Sequence, residues 1–315
     1  MNRRKFLLSS SMALLAASRP GQARTRPAIG RLGAQLFSIP KLLEADFGQA
    51  IGSLAALGYR EVELYGPYPF SAPEVQAQWL ALKPQLGFSG SGFFGLTVAQ
   101  VHAVLRKHGM TAPSMHTDLS TLQTRMGELA AAAHAVGARY VVLPAIPEAK
   151  RRTLDDYKAM ADAFNAIGEQ ARREGVRFGY HNHGYGLQDM QGTVPLRMLL
   201  ERTDPDRVFF EMDIYWTTAG GADPVELLAS HPHRYRMLHL KDMKQRVRFK
   251  GDGGDSSQWV ELFPYMCPVG DGVLDIRAIV AQAKASGVEL FFVEQDMASD
   301  GLASMKRSAD FLTAI

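Results

Sequence analysis

Four apolar runs in the second half of the sequence each close on a polar pair with one residue between its members: His181 and His183, Glu211 and Asp213, His239 and Lys241, Glu294 and Asp296. In an extended strand, residues i and i+2 point to the same side. The alternate positions, Phe178 and Tyr180, Phe210 and Met212, Leu238 and Leu240, Phe291 and Val293, suit packing against helices. The polar pairs are therefore expected to face the space that the strands enclose. An isolated ionised group buried there costs on the order of several kcal/mol. A divalent cation removes that cost: it neutralises carboxylates, accepts neutral imidazole nitrogen and keeps positions open for substrate oxygens. One residue from each strand gives the expected ligand set His181, Asp213, His239 and Glu294. Mixed nitrogen and oxygen donors admit Mn²⁺ first, then Co²⁺ or Zn²⁺, and argue against the all-oxygen cage of Ca²⁺. The alternative is a solvated ion-pair network without metal.

The elements that would carry these residues recur regularly. Apolar β-like runs at 31–37, 60–65, 112–117, 139–145, 177–183, 208–214, 236–241 and 290–295 alternate with helical spacing. Helices are expected at 42–57, 119–136, 154–173 and 276–285, each followed by a glycine (Gly58, Gly137, Gly175, Gly287). Shorter helical stretches at 194–201, 224–230 and 302–312 supply the remaining connections. Eight such units predict a (β/α)₈ TIM barrel, an α/β fold in which residues 24–315 form one domain. A doubly wound open sheet would carry a glycine-rich phosphate loop after its first strand, where this chain has Phe37-Ser38-Ile39-Pro40. Two long connections, 66–109 and 243–272, follow strand ends and belong on the C-terminal face of a barrel, as lids, substrate walls or plain insertions.

The first residues read differently. Asn2-Arg3-Arg4-Lys5-Phe6-Leu7 resembles a twin-arginine export signal, followed by a short apolar stretch and the small-residue end Gly21-Gln22-Ala23. Residues 1–23 are expected to be removed by signal peptidase after passage through the twin-arginine translocase, leaving a periplasmic or secreted protein with no stable membrane anchor. Removal takes away four of 35 basic residues and leaves 31 against 32 acidic ones. A net charge near −1 offers little to a nucleic-acid backbone. The single cysteine, Cys267, excludes an internal disulfide and a cysteine-rich metal site. With 46% hydrophobic and 21% charged residues the chain is of ordinary globular composition, so disorder is not expected.

Several further pieces carry a family resemblance. They are Gly33-Ala34-Gln35-Leu36, Gly58-Tyr59-Arg60-Glu61-Val62-Glu63, Tyr180-His181-Asn182-His183, Asp213 with Trp216, His239-Leu240-Lys241-Asp242, Gly270-Asp271-Gly272 and Val293-Glu294-Gln295-Asp296. In this order and spacing the chain resembles the sugar phosphate isomerase/epimerase family, the xylose isomerase-like TIM barrels. The resemblance implies a metal held by glutamate, aspartate, histidine and glutamate on successive strands. Asp213, His239 and Glu294 match three of these, and His181 stands where many members carry the first glutamate. That departure weakens a scheme in which two glutamates exchange protons on opposite substrate faces.

The chemistry implied is proton abstraction next to a sugar carbonyl through a metal-stabilised enediolate. Glu294, Lys241 and His183 are the acid/base candidates. Gln35, Glu63, His116 and Trp216 are the candidate substrate contacts, the first three through hydrogen bonds and Trp216 through its ring face. The expected function is a metal-dependent isomerase or epimerase of a non-phosphorylated keto sugar. The alternatives are a 3-keto-glycoside lyase or hydrolase using the same site, and a non-catalytic periplasmic sugar-binding protein. The apurinic-endonuclease branch of the fold is disfavoured by charge. The partner is a small sugar or glycoside, and oligomeric state is left open.

Overall fold

The computed structural model describes residues 29–315; the expected export signal lies outside the described residues. Eight strands form the barrel: β1 (Gly33–Gln35), β2 (Glu61–Tyr65), β3 (Thr111–His116), β4 (Tyr140–Leu143), β5 (Arg177–His181), β6 (Val208–Asp213), β7 (Tyr235–Leu240) and, after the short hairpin β8 (Asp242–Met243) and β9 (Met266–Cys267), β10 (Leu290–Val293). The barrel closes in the order β1-β10-β7-β6-β5-β4-β3-β2, and every neighbouring pair within it is parallel. This is the TIM barrel that the sequence predicts.

Alternation along the strands sorts the residues as expected. Phe178 and Tyr180 point outward onto the helix Leu154–Arg173, where Phe164 meets their rings at centroid distances of 5.3 and 5.1 Å. That helix starts at a reciprocal cap between Thr153 and Asp156. It buries Tyr157, Met160, Ala161, Phe164, Ile167, Gly168 and Ala171, the three- and four-residue spacing of one helical face. Inward, the bottom of the barrel is an apolar plug of Tyr140, Val142, Phe209, Met237, Leu290 and Phe292. Two inward glycines make room for it. A Cβ on Gly33 would lie 2.5 Å from Phe292 Cδ1, and one on Gly179 would lie 2.9 Å from Met237 Cε. Polar residues take over above this plug.

Some boundaries differ from expectation for local reasons. The helix expected at 42–57 breaks into Pro40–Ala45 and Phe47–Ala56, because the Asp46 carboxylate accepts from the Gln49 amide and caps the second piece. The helix expected at 119–136 is Leu119–Thr124 and Met126–Val136, interrupted at Arg125. The run 31–37 is strand only at Gly33–Gln35; the Gln35 side chain then accepts from the Phe37 amide and starts a 3₁₀ turn. The run 177–183 stops at His181, where Asn182 donates to Thr217 Oγ1 at 3.1 Å and His183 leaves the strand. The long connection 66–109 carries helices Pro73–Ala81, Lys83–Leu86 and Val98–Lys107.

Candidate active site and metal centre

The polar core begins with Glu63 on β2, which is fully buried. It accepts from Gln35 Nε2 at 2.7 Å, from Ser114 Oγ, and sits 2.6 Å from His239 Nε2. Glu211 on β6 lies across from it: its Oε2 is 2.7 Å from His116 Nε2, 3.0 Å from His181 Nδ1 and 3.3 Å from His239 Nε2. His116 Nε2 is also 3.1 Å from Glu63, and the His116 and His239 rings lie parallel with centroids 5.4 Å apart. Two carboxylates thus alternate with two imidazoles around the barrel axis. Burial alone would neutralise each group, but the opposite charges win. Burial acts against the Glu63 carboxylate, yet His116 and His239 hold it well below the usual range. Burial and Glu63 push against Glu211 ionising, and His239 and His116 bring it down to about 2. His116, despite burial, is pushed up to about 9 by Glu63 and Glu211, and His239 is raised strongly by Glu211, Glu63 and Glu294.

Toward the C-terminal face stands a second group. Lys241 Nζ is buried 2.6 Å from Asp296 Oδ2, 2.8 Å from Glu294 Oε2 and 3.1 Å from Asp213 Oδ2. His239 Nδ1 lies 2.8 Å from the same Glu294 oxygen. Glu294, resisting burial, is held low by Lys241 and His239, whereas burial and Glu294 push the neighbouring Asp296 up to about 7. His181 is driven far below the ordinary imidazole range by burial and by His239, so it is a neutral ring.

The donor set fits a divalent cation. His116, His181, Glu211 and His239 each bring one nitrogen or oxygen within 4.8 Å of the others, and Asp213, His239 and Glu294 do the same. Among the described residues the buried carboxylate oxygen Glu211 Oε1 has no hydrogen-bond partner, and Asp213 Oδ2 has only the Lys241 ammonium 3.1 Å away. Buried carboxylate oxygens are rarely left so, and a cation is one group that satisfies them. The four expected ligands are divided between these two groups, which meet at His239: Asp213, His239 and Glu294 stand together, and His181 joins them through Nε2, 3.8 Å from Asp213 Oδ2.

A cavity of about 540 Å³ opens above the two groups. His116, His181, His183, His239, Lys241 and Glu294 reach it from the barrel, and Gln35 lines it beside them. Trp79 and Leu82, from the 66–109 connection, and Leu143 and Pro144, after β4, form its apolar wall. The Trp79 indole nitrogen is anchored on the Ser89 carbonyl at 2.8 Å. His183 reaches the cavity from outside the strand, its ring stacked on Trp259 at 4.5 Å; burial and Lys241 bring it down to about 3. Glu63 lies beneath the cavity, bonded to Gln35. Trp216 is buried behind it, stacked on Phe249 at 5.5 Å, with Lys241 Nζ 5.6 Å from its ring centroid.

The profile of the xylose isomerase-like TIM barrels matches residues 51–315. The chain belongs to that family. Inosose dehydratase of Geobacillus thermodenitrificans is 33% identical over 152 residues, 46% of this chain and 50% of that protein, so the chain matches half of that relative's length. Inosose dehydratase of Lacticaseibacillus casei is 24% identical over 81% of this chain and 84% of that protein. Among solved barrels, a sugar phosphate isomerase/epimerase from Parabacteroides distasonis superposes with a TM-score of 0.70 at 23% identity, covering 96% of this chain and 98% of that one. The zinc-bound IOLI protein superposes at 0.64 with 14% identity, covering 90% and 98%. These two share the fold with this xylose isomerase-like chain.

Two further residues shape this site. Glu211 faces inward as alternation predicts, but nothing in the sequence ranks it against Asp213 as a donor. Asp242, beside Lys241 in the sequence, is fully buried and accepts from the amides of Met243, Gly270, Gly272 and Leu274 at 2.8–3.2 Å, so it shapes the Gly270-Asp271-Gly272 turn.

Proposed function

We propose that this protein is a divalent-metal-dependent lyase of non-phosphorylated keto sugars or keto cyclitols, which removes the proton next to the carbonyl and expels a substituent from the next carbon. The observation that carries this reading is the one-sidedness of the acid/base groups. Glu294, Asp296 and Lys241 follow β10 and β7. In the closed order, β4 is diametrically opposite β10, and it presents Leu143 and Pro144 to the cavity. His116, on β3 opposite β7, is an ionisable group across the cavity, but Glu211 and Glu63 engage it; a base therefore approaches the substrate from the β10 and β7 side, and epimerisation between two opposed bases is poorly served.

His181, Asp213, His239 and Glu294 would hold the cation, with Mn²⁺ the first choice and Zn²⁺ or Co²⁺ the alternatives. A cation there would stabilise the negative charge that develops on the carbonyl oxygen. Glu294, kept ionised by Lys241 and His239, is the group that can accept the α-proton. Asp296, whose proton affinity is raised by burial and by Glu294, lines the cavity beside Lys241 and is placed to give a proton to the departing group. Gln35 and His116 reach the cavity as hydrogen-bonding groups for substrate hydroxyls, and His183 could contact a hydroxyl from the Trp259 side. Glu63 and Trp216 act from behind the cavity, the first through Gln35 and the second as packing under Lys241. Among the described residues Lys241 is the one lysine or arginine lining the cavity, and three carboxylates engage it, so it is not free to bind a phosphate.

Isomerisation on the same face starts with the same step and is the second reading. It returns the proton to the neighbouring carbon and needs no leaving group. The dehydratase names of the sequence relatives favour elimination. Incubating the Mn²⁺-loaded protein with keto cyclitols, keto-glycosides and free ketoses in heavy water separates them. An unsaturated product or a released aglycone supports elimination; deuterium in a rearranged sugar supports isomerisation; no solvent exchange with any substrate overturns both and leaves a binding protein. We also propose twin-arginine export to the periplasm on the strength of Arg3 and Arg4. Replacing both by lysine should retain the protein in the cytoplasm, and undiminished export would refute it.

A further inference from the structure

We propose that Glu211 is a positioning residue that sets, from behind, which nitrogen of His181 faces the cation. The inference rests on the metal-binding reading above. A neutral imidazole carries one N–H and one lone pair, and the partner of the first decides where the second points. His181 has its Nδ1 3.0 Å from Glu211 Oε2, and a carboxylate accepts only from N–H. That places the lone pair on Nε2, the nitrogen 3.8 Å from Asp213 Oδ2. His239 differs: carboxylates face both of its nitrogens, Glu63 at 2.6 Å and Glu211 at 3.3 Å from Nε2 and Glu294 at 2.8 Å from Nδ1, so Glu211 does not by itself fix which of them turns to the cation. His116, 2.7 Å from Glu211 and 3.1 Å from Glu63, ties the two carboxylates into one unit.

Glu211 therefore spends one oxygen on three imidazoles while its Oε1 stays buried and unpartnered. A residue chosen for packing alone would not hold a charge this way. The deep quartet His116, His181, Glu211 and His239 could instead be read as a direct binding site, in which Glu211 ligates. The two readings differ in what Glu211 does to the coordination sphere. As a carboxylate behind the ligands it tunes affinity without entering the sphere.

The test is metal affinity and the visible spectrum of the Co²⁺-loaded full-length protein, in wild type, Glu211→Gln and Glu211→Asp. Circular dichroism and the melting temperature of the chelated forms identify a variant that has not folded; Glu211→Asp retains the charge and serves where Glu211→Gln fails. We expect one equivalent of metal in wild type. Glu211→Gln should weaken Co²⁺ and Mn²⁺ binding by roughly 10–100-fold in competition with a chelator, with the Co²⁺ band pattern retained. Glu211→Asp should recover part of that loss. Unchanged affinity in a folded Glu211→Gln protein overturns the proposal and leaves the functional reading standing. Two equivalents in wild type, falling to one in the variant, or a changed Co²⁺ band pattern, overturn it in favour of direct ligation. A wild-type protein that binds no metal overturns both.

Discussion

Replacing Lys241 by methionine tests the electrostatics of the site without reference to turnover. The ammonium group is buried within 3.1 Å of three carboxylates, Asp213, Glu294 and Asp296, and its stem packs near Trp216. Methionine keeps much of the packing volume and removes the charge. Breaking a buried pair on one side costs about 3–5 kcal/mol, because the remaining charge stays desolvated. For a chain of this length each kcal/mol moves the melting temperature by roughly 2–4 °C, so a loss of roughly 6–20 °C is expected in the chelated protein. The loss has a ceiling, since the freed carboxyls can take up protons at about 1.4 kcal/mol per pH unit. Without Lys241 the folded-state pKa of Glu294 rises, and that of Asp296, already above its unfolded value, rises further. Relative to wild type, their contribution is then present at low pH and lost as pH rises. The deficit against wild type should therefore be small near pH 5 and widen toward pH 8. Saturating Mn²⁺ should narrow it at pH 8, because a dication neutralises Asp213 and Glu294 in place of the lysine. Thermal melts at the two pH values, with and without Mn²⁺, read all three effects. Equal deficits at pH 5 and pH 8, or none at either, would refute the reasoning.

Asp242→Ala removes the acceptor of four backbone amides and should lower stability by about 3 kcal/mol, while the folded fraction keeps its metal content; loss of metal at full stability would place Asp242 in the site instead. Trp79→Ala strips the indole from the cavity wall and should raise KM roughly 5–50-fold with kcat within about twofold, the pattern of uniform substrate binding. A fall in kcat at unchanged KM would instead give Trp79 a part in the chemical step.

The barrel was legible because its signal is local and repeated. Runs such as Val208–Asp213 and Tyr235–Leu240 are apolar on the helix-facing side, and the helices Phe47–Ala56, Met126–Val136, Leu154–Arg173 and Ile276–Ala285 are each followed within two residues by a left-handed glycine. The inward side of the last strands was legible for the same reason. Depth was not. Alternation assigns Glu211 and Asp213 to one face, but at about 3.3 Å per residue they stand about 7 Å apart along the strand. Only the closed structure reveals that Glu211 meets His116, brought from β3, which in turn meets Glu63 from β2. His183 illustrates the opposite failure. Its spacing from His181 promised a shared face, yet the strand ends between them and the ring joins Trp259, contributed by a connection with no periodic signal.

The vertical order of the interior explains why the charges gather where they do. Phe292, Met237 and Phe209 seal the bottom, and Gly33 and Gly179 are small so that they can. The next layer, Glu63 with Ser114 and Glu211 with the imidazoles, is buried and polar. From the layer above it, Lys241, Glu294 and Asp296 reach the cavity, with Asp213 buried beside them. A barrel designed for stability would continue the apolar plug upward, since hydrophobic replacements of buried ion pairs are often neutral or stabilising. This chain instead places two carboxylates and two imidazoles under the groups at the floor of the cavity. Such a layer is useful when the side chains above it must be held in one protonation and one orientation. Exchanging the whole lower layer for apolar residues of matched volume, Glu63→Leu with His116→Leu and Glu211→Leu, is thus expected to preserve or raise the melting temperature of the chelated protein while weakening its metal binding. A variant that keeps wild-type metal affinity would show the upper layer to be self-sufficient, and the lower one to have no part in arranging it.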